Sequence, residues 1–163
     1  RVIREMLSFQ PAHRGTSIAA ALTFLNHVLH RRSIIFLLTD FLHTFRPVSD
    51  AGDRRGRDVI QDIGLTNARH DLVCVHLHDP RESALPAAGL VNIEDAETGE
   101  MLEVDSHRSA VRRAFEQANN LRLTQLDSAL RHAGVDTLRL STAEPFAQTL
   151  QRFFELRRGR RRG

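Results

Sequence analysis

Apolar residues return along this chain in two rhythms, one with a period of three to four residues and one with almost no gaps. From Ile18 to Leu29 the positions Ile18, Ala21, Leu22, Leu25, Val28 and Leu29 share one helical face, with Thr16 or Ser17 placed to cap the start and Arg31 and Arg32 at the far end. Directly afterwards comes SIIFLLT, and a run so short and continuous predicts a parallel strand covered on both faces. HDLVCVHLHD repeats that signature, and GVDTLRL is a third core strand. Helices are expected between them: RDVIQDIGLTNAR, then a long helical region from Ser106 to Ala133 whose apolar phase slips near Asn119 and Asn120. A final helix carries Phe146, Leu150, Phe153 and Phe154 inward, and at the other end Val2, Ile3, Met6 and Leu7 share a face of a first helix closed by QPAHRG.

One segment departs from this scheme. GLVNIEDAETGEMLEVD contains two short alternating strands around a turn at Glu97, Thr98 and Gly99, which reads as a β-hairpin inserted after the second parallel strand. Strands separated by helices define an α/β fold, here a doubly wound, Rossmann-like parallel sheet with a hairpin insertion.

Composition narrows the picture. With 163 residues, 41% of them hydrophobic, the chain suits one domain, assigned to residues 1–156, followed by a basic tail at 157–163 that is expected to be solvated and disordered. The net charge of +3 depends on the five arginines of that tail, without which the body stands at −2. A near-neutral body with no Tyr and no Trp argues against nucleic acid as the main partner; RNA contact through the arginine tail is the remaining form of that reading. No apolar run approaches the roughly 18 to 20 residues of a membrane span. A lone Cys74 suits a reducing compartment, so cytoplasm is the expected location. The chain opens at Arg1 inside a helical pattern, as expected of a piece cut from a longer protein.

Candidate chemistry concentrates where strands end. In an open parallel sheet the functional crevice lies beyond the carboxyl ends of the strands, and Asp40 follows SIIFLLT immediately. A carboxylate there and the Thr16 hydroxyl, delivered by a separate loop, make half of a site for a hard cation such as Mg²⁺. The plainer roles are a turn cap for Asp40 and a helix N-cap for Thr16. His76 and His78, with Cys74 on the same face and Asp79 following, have a spacing that can ligate zinc, although hydrogen-bonded core histidines explain it better. Asp79, Glu82, Glu94, Asp95, Glu97 and Glu100 form an acidic concentration around the hairpin, read as a partner-binding surface. No nucleophile motif or Gly-rich phosphate loop accompanies it.

Taken in order, RGTS, RRSIIFLLTDF, ARHDLVCVHLHDPRESALP, GLVNIEDAETGEMLEVD and LQRFFELRRGRRR resemble the C-terminal half of the bacterial proteins grouped as domain of unknown function 58, a von Willebrand factor A-like family. The resemblance implies that Thr16 is the metal-loop threonine and Asp40 the metal-loop aspartate of a metal-ion-dependent adhesion site. The family's Asp-x-Ser-x-Ser loop is absent from these residues and would lie upstream, and Ser17 stands where the family often has an acid. The implied function is a non-enzymatic adaptor or scaffold working with a MoxR-type AAA+ ATPase, with Mg²⁺ bound in the intact protein and none expected in these residues alone. If the upstream strands are missing, a bare sheet edge invites dimerisation. The competing expectation is a metal-dependent hydrolase or phosphatase built on Asp40 and the hairpin carboxylates.

Overall fold

A strand that must bury both of its faces needs a layer on each side, and β2 (Asp71–His78) has them. The computed structural model describes residues 2–10, 16–42, 54–94, 99 and 101–160. Along that chain run α1 (Val2–Ser8), α2 (Ile18–Val28), β1 (Ile34–Thr39), α3 (Arg54–Arg69), β2, a 3₁₀ turn (Pro80–Glu82), β3 (Leu90–Glu94), β4 (Met101–Asp105), α4 (Ser109–His132), β5 (Asp136–Ser141) and α5 (Phe146–Arg160). The sheet order is β1-β2-β5, all parallel, and β3 and β4 form a separate antiparallel hairpin. The expected α/β, Rossmann-like architecture is therefore present, with the hairpin inserted after the second strand.

Alternation along β2 separates two cores. Leu72 and Cys74 join Ile18, Leu22, Ile35, Phe41, Ile63, Leu126, Leu130 and Val135 beneath α2, α3 and α4. Val73 and Val75 join Leu138 on the opposite face, against Leu150 and Phe153 of α5. This is why the β2 segment is apolar without a break.

β1 corrects the expectation that it too is covered on both faces. Ile35 is buried, but Ile34, Phe36 and Leu38 on the α5 side are 59%, 45% and 60% exposed. The cause is placement: α5 lies over β2 and β5 and meets β1 through Phe154, whose ring stands edge-on to Phe36 at 6.1 Å.

Helix ends are closed by specific contacts. Gly134 (φ +65°) ends α4, where Val135 N–H donates back to Leu130 O (3.3 Å), a turn that needs a left-handed residue. Asn67 ties the end of α3 to the sheet, donating to Gly134 O (2.9 Å) and accepting from Leu72 N–H (3.3 Å). The hairpin is clasped at its base by buried Ser106, which accepts from Ala88 N–H (3.1 Å) and donates to Gly89 O (2.7 Å). Beyond that clasp β3 and β4 pack mainly on each other. Of the expected turn, Glu97 and Thr98 lie outside the described residues.

The boundary expected at Leu156 also moves. α5 continues through Arg160, and Arg157, assigned by composition to a solvated tail, is 13% exposed. Its guanidinium pairs with Asp71 at the start of β2 and with Asp136 at the start of β5 (2.9 Å to the latter). One arginine thus pins the helix across the amino ends of two strands. Arg157→Ala removes the cation that spans these two largely buried carboxylates, and the expected loss is about 1 to 3 kcal/mol in urea unfolding. Arg158→Ala, at an exposed position of the same helix, should shift stability by less than about 0.5 kcal/mol.

Candidate functional site at the carboxyl edge of the sheet

Because the three strands are parallel, their carboxyl ends emerge together. β1 ends in Thr39 and delivers Asp40, while β2 ends in His76, His78 and Asp79. Asp40 accepts from Leu42 N–H through Oδ1 (3.0 Å), so one carboxylate oxygen closes a turn while the side chain stays exposed. Between them Phe41 adopts φ +55° and is 1% exposed. A left-handed residue with a Cβ costs about 1 to 2 kcal/mol. Burying a phenyl ring contributes about 1.5 to 3 kcal/mol, which offsets that cost. The ring packs edge-on to His76, with centroids 5.8 Å apart.

The opposite wall comes from the 3₁₀ turn and α4. Asp79 caps the turn by accepting from Arg81 N–H (2.9 Å), and Asn119 donates to Glu82 O (2.9 Å). Arg122, 9% exposed, donates from Nε (3.3 Å) and Nη2 (3.0 Å) to Asn119 Oδ1 and from Nη1 to Phe41 O (3.4 Å). These residues surround a shallow, open crevice lined by Asp40, His76, His78, Asp79, Glu82 and Arg122 among others, whose enclosed space of about 10 Å³ is no more than a water molecule fills. Small-molecule pockets run to roughly 300 to 1,000 Å³. This one is a shallow surface notch, too small to enclose such a ligand.

Electrostatics follow from burial. Desolvation pulls the Arg122 pKa down, opposed by Glu82 and Asp40; a guanidinium nonetheless keeps its proton. His76, 2% exposed, has its pKa lowered by burial first and then by Arg139, Arg122 and His78, with Asp127 opposing. Burial thus favours the neutral ring, and among the described residues its Nδ1 has no hydrogen-bond partner. Behind it, burial pushes the Cys74 thiol up to about 12.

The residues singled out from sequence therefore divide. Asp40, Asp79 and Glu82 meet in one crevice with His76 and His78. Thr16 does not line it; it is exposed just before α2, where Ser17 is the N-cap, accepting from Ala20 N–H (3.2 Å). Glu94 is exposed at the end of β3, and Asp95, Glu97 and Glu100 lie outside the described residues. Among the described residues no three His, Cys, Asp or Glu side chains are grouped to hold a metal, the suggested zinc set included. Mg²⁺ requires near-octahedral oxygen coordination, and among the crevice-lining residues Asp40 offers a single carboxylate, one oxygen of which already accepts from Leu42 N–H. The described residues do not fit that ion by themselves. Asn119, Arg122 and Phe41 escaped the sequence reading. For Arg122 the one signal was its position on the core face of α4, four residues before buried Leu126 and eight before buried Leu130.

Fold and crevice together define an α/β, Rossmann-like protein with its candidate site at the carboxyl edge of a parallel sheet. The family described as protein of unknown function DUF58 matches residues 1–124, and the chain belongs to it. The uncharacterized protein MAV169 of Mycobacterium avium is 27% identical over 143 residues, covering 86% of this chain and 76% of its own length. The uncharacterized proteins Rv1480 of Mycobacterium tuberculosis and Mb1516 of Mycobacterium bovis are each 27% identical over 148 residues, covering 91% of this chain. This chain spans 43% of the length of those two relatives. No solved structure matches.

Two measurements check the electrostatic account. A lowered His76 pKa means that the unfolded chain takes up the proton first. Its contribution is present above the ordinary value of 6.5 and is lost as pH falls below it. The stability lost between about pH 7 and pH 5 should accordingly be smaller in His76→Leu than in the wild type. Cys74 should resist a thiol reagent at about pH 8 in the folded protein, where only about one thiol in 10⁴ is ionised, and react fully in urea.

Proposed function

We propose that this chain is a non-enzymatic protein–protein interaction module, the C-terminal portion of a von Willebrand A-like domain that serves as an adaptor or scaffold for a MoxR-type AAA+ ATPase in the cytoplasm. The observation that supports this reading is the crevice itself. It is too shallow to enclose a small-molecule substrate and carries acids on an open rim, and the hairpin leaves Leu90, Met101 and Leu102 exposed at 69%, 60% and 63%. A partner can engage both features without any bond being made or broken. Thr16 and Asp40 enter this reading as two oxygen donors to Mg²⁺ only where a longer protein brings the remaining ligands. The apolar side of β1, Ile34, Phe36 and Leu38, is where such a longer chain or a second copy would be added.

Calorimetry with a MoxR-type ATPase from the same genome tests the proposal. Asp40→Asn keeps an acceptor for Leu42 N–H while removing the charge, and with Glu82→Gln it should weaken binding at least tenfold with an unchanged melting temperature. Hydrolysis of p-nitrophenyl phosphate that disappears in Asp40→Asn, together with no ATPase binding, would establish the hydrolase instead.

A further inference from the structure

The starts of the three parallel strands define an edge opposite the crevice, and exposed arginines gather there from both helical layers. Arg31 and Arg32 stand just before β1, Arg69 ends α3 just before β2, and Arg158 follows Arg157, which reaches the first residues of β2 and β5. Backbone contacts join these segments: Asp71 N–H donates to Ser33 O (2.8 Å) and Ser33 N–H to His70 Nδ1 (3.4 Å). The acids at the strand starts, Asp71 and Asp136, are paired with Arg157, and Glu155 in the last turns of α5 accepts from Gln151 (3.0 Å). Among the described residues Arg31, Arg32, Arg69 and Arg158 make no ion pair.

A positive charge at the end of a helix offsets the helix dipole, which accounts for such arginines singly. It does not account for the apolar side chains set among them. Ile34, the second residue after Arg32, is exposed, and so is Leu156, two residues before Arg158. Phe154 lies four residues before Arg158 and so on the same side of α5, the side that meets β1 through Phe36. Arginines beside exposed aliphatic side chains are the two components of an interfacial lipid-binding surface: the cations draw anionic headgroups and the apolar groups enter the acyl boundary. Single-stranded nucleic acid needs aromatic faces open to stacking, whereas Phe36 and Phe154 are set edge-on against each other and the chain has no Tyr or Trp.

We propose that the amino edge of the sheet is a peripheral docking surface for anionic phospholipid, with Arg31, Arg32, Arg69 and Arg158 over the headgroups and Ile34 and Leu156 inserted between them. Such a surface lies on a bilayer and does not span it; no helix among the described residues is long and apolar enough to do so. Because Asp40, Asp79 and Glu82 lie at the opposite edge, docking turns the crevice away from the lipid. The inference goes beyond the interaction module and does not depend on what the crevice binds, so either can fail alone.

Co-sedimentation of the chain with phosphatidylcholine vesicles, with and without about 30% phosphatidylglycerol, tests the proposal. Binding is expected to the anionic vesicles alone and should fall at least about tenfold between about 50 and about 500 mM NaCl. The triple variant Arg31→Gln, Arg32→Gln, Arg158→Gln leaves Arg160, Arg161 and Arg162 in place and should bind at least about tenfold more weakly. Ile34→Thr with Leu156→Gln changes no charge and keeps a strand former and a helix former; it should weaken binding about threefold or more at an unchanged melting temperature. Equal binding to neutral vesicles overturns the proposal, as does a threonine–glutamine variant that binds like the wild type. A triple variant that binds like the wild type also overturns it and assigns the binding to the terminal arginines. Polyuridylate bound more tightly than anionic vesicles would make the edge a nucleic-acid surface and sink the idea.

Discussion

The double burial of β2 is the constraint on which the rest of this structure depends. A strand with Leu72, Val73, Cys74 and Val75 all inaccessible requires α2, α3 and α4 on one face and α5 on the other. Parallel pairing on both sides then sets the level of every strand end: Thr39 lies beside His76, and His78 beside Ser141. The polar residues that follow the strands are brought to one edge as a consequence. At the opposite edge Arg157 draws together Asp71 and Asp136, so the sheet is held by charge where it starts and opens into a crevice where it ends.

The crevice exists because α4 changes what it presents along its length. Its C-terminal half offers Leu126 and Leu130 to the core, and one turn earlier the same face offers Arg122 and Asn119. A helix that switches from apolar to polar on a single face marks the place where the core ends and a site begins. Arg122 links the two walls, since it binds Asn119 on its own helix and the Phe41 carbonyl across the sheet. Phe41 repays the contact by burying its ring against His76, which makes a strained backbone turn affordable and presents Asp40 outward.

Two surfaces remain open and have different characters. The α5 side of β1 shows Ile34, Phe36 and Leu38, an apolar stripe continuous with the core beneath α5 through Phe154. The hairpin is clasped at Ser106 and anchored to α4 by Arg112, whose Nη1 donates to the Ser106 and His107 carbonyls (2.6 and 2.9 Å). An arm rigid at its base and exposed beyond it can carry contacts away from the crevice.

Element order, strand type and the hairpin were legible in the sequence because each depends on short-range periodicity: a 3.6-residue repeat for α2, an unbroken apolar run for β2, alternation for β3 and β4. The placement of Asp40 at a functional edge was legible for the same reason, since a parallel strand that ends in an acid can deliver it to only one side of the sheet. Tertiary structure alone decided which apolar runs are covered on both faces, because the coverage of β1 depends on where α5 lies and not on anything within IIFLLT. It also decided that Arg157 is structural rather than a tail residue and that Arg122 and Asp40 line one crevice. Each of these depends on contacts between residues tens of positions apart, and the identity of a long-range neighbour is set by the packing of whole elements, which no local repeat encodes.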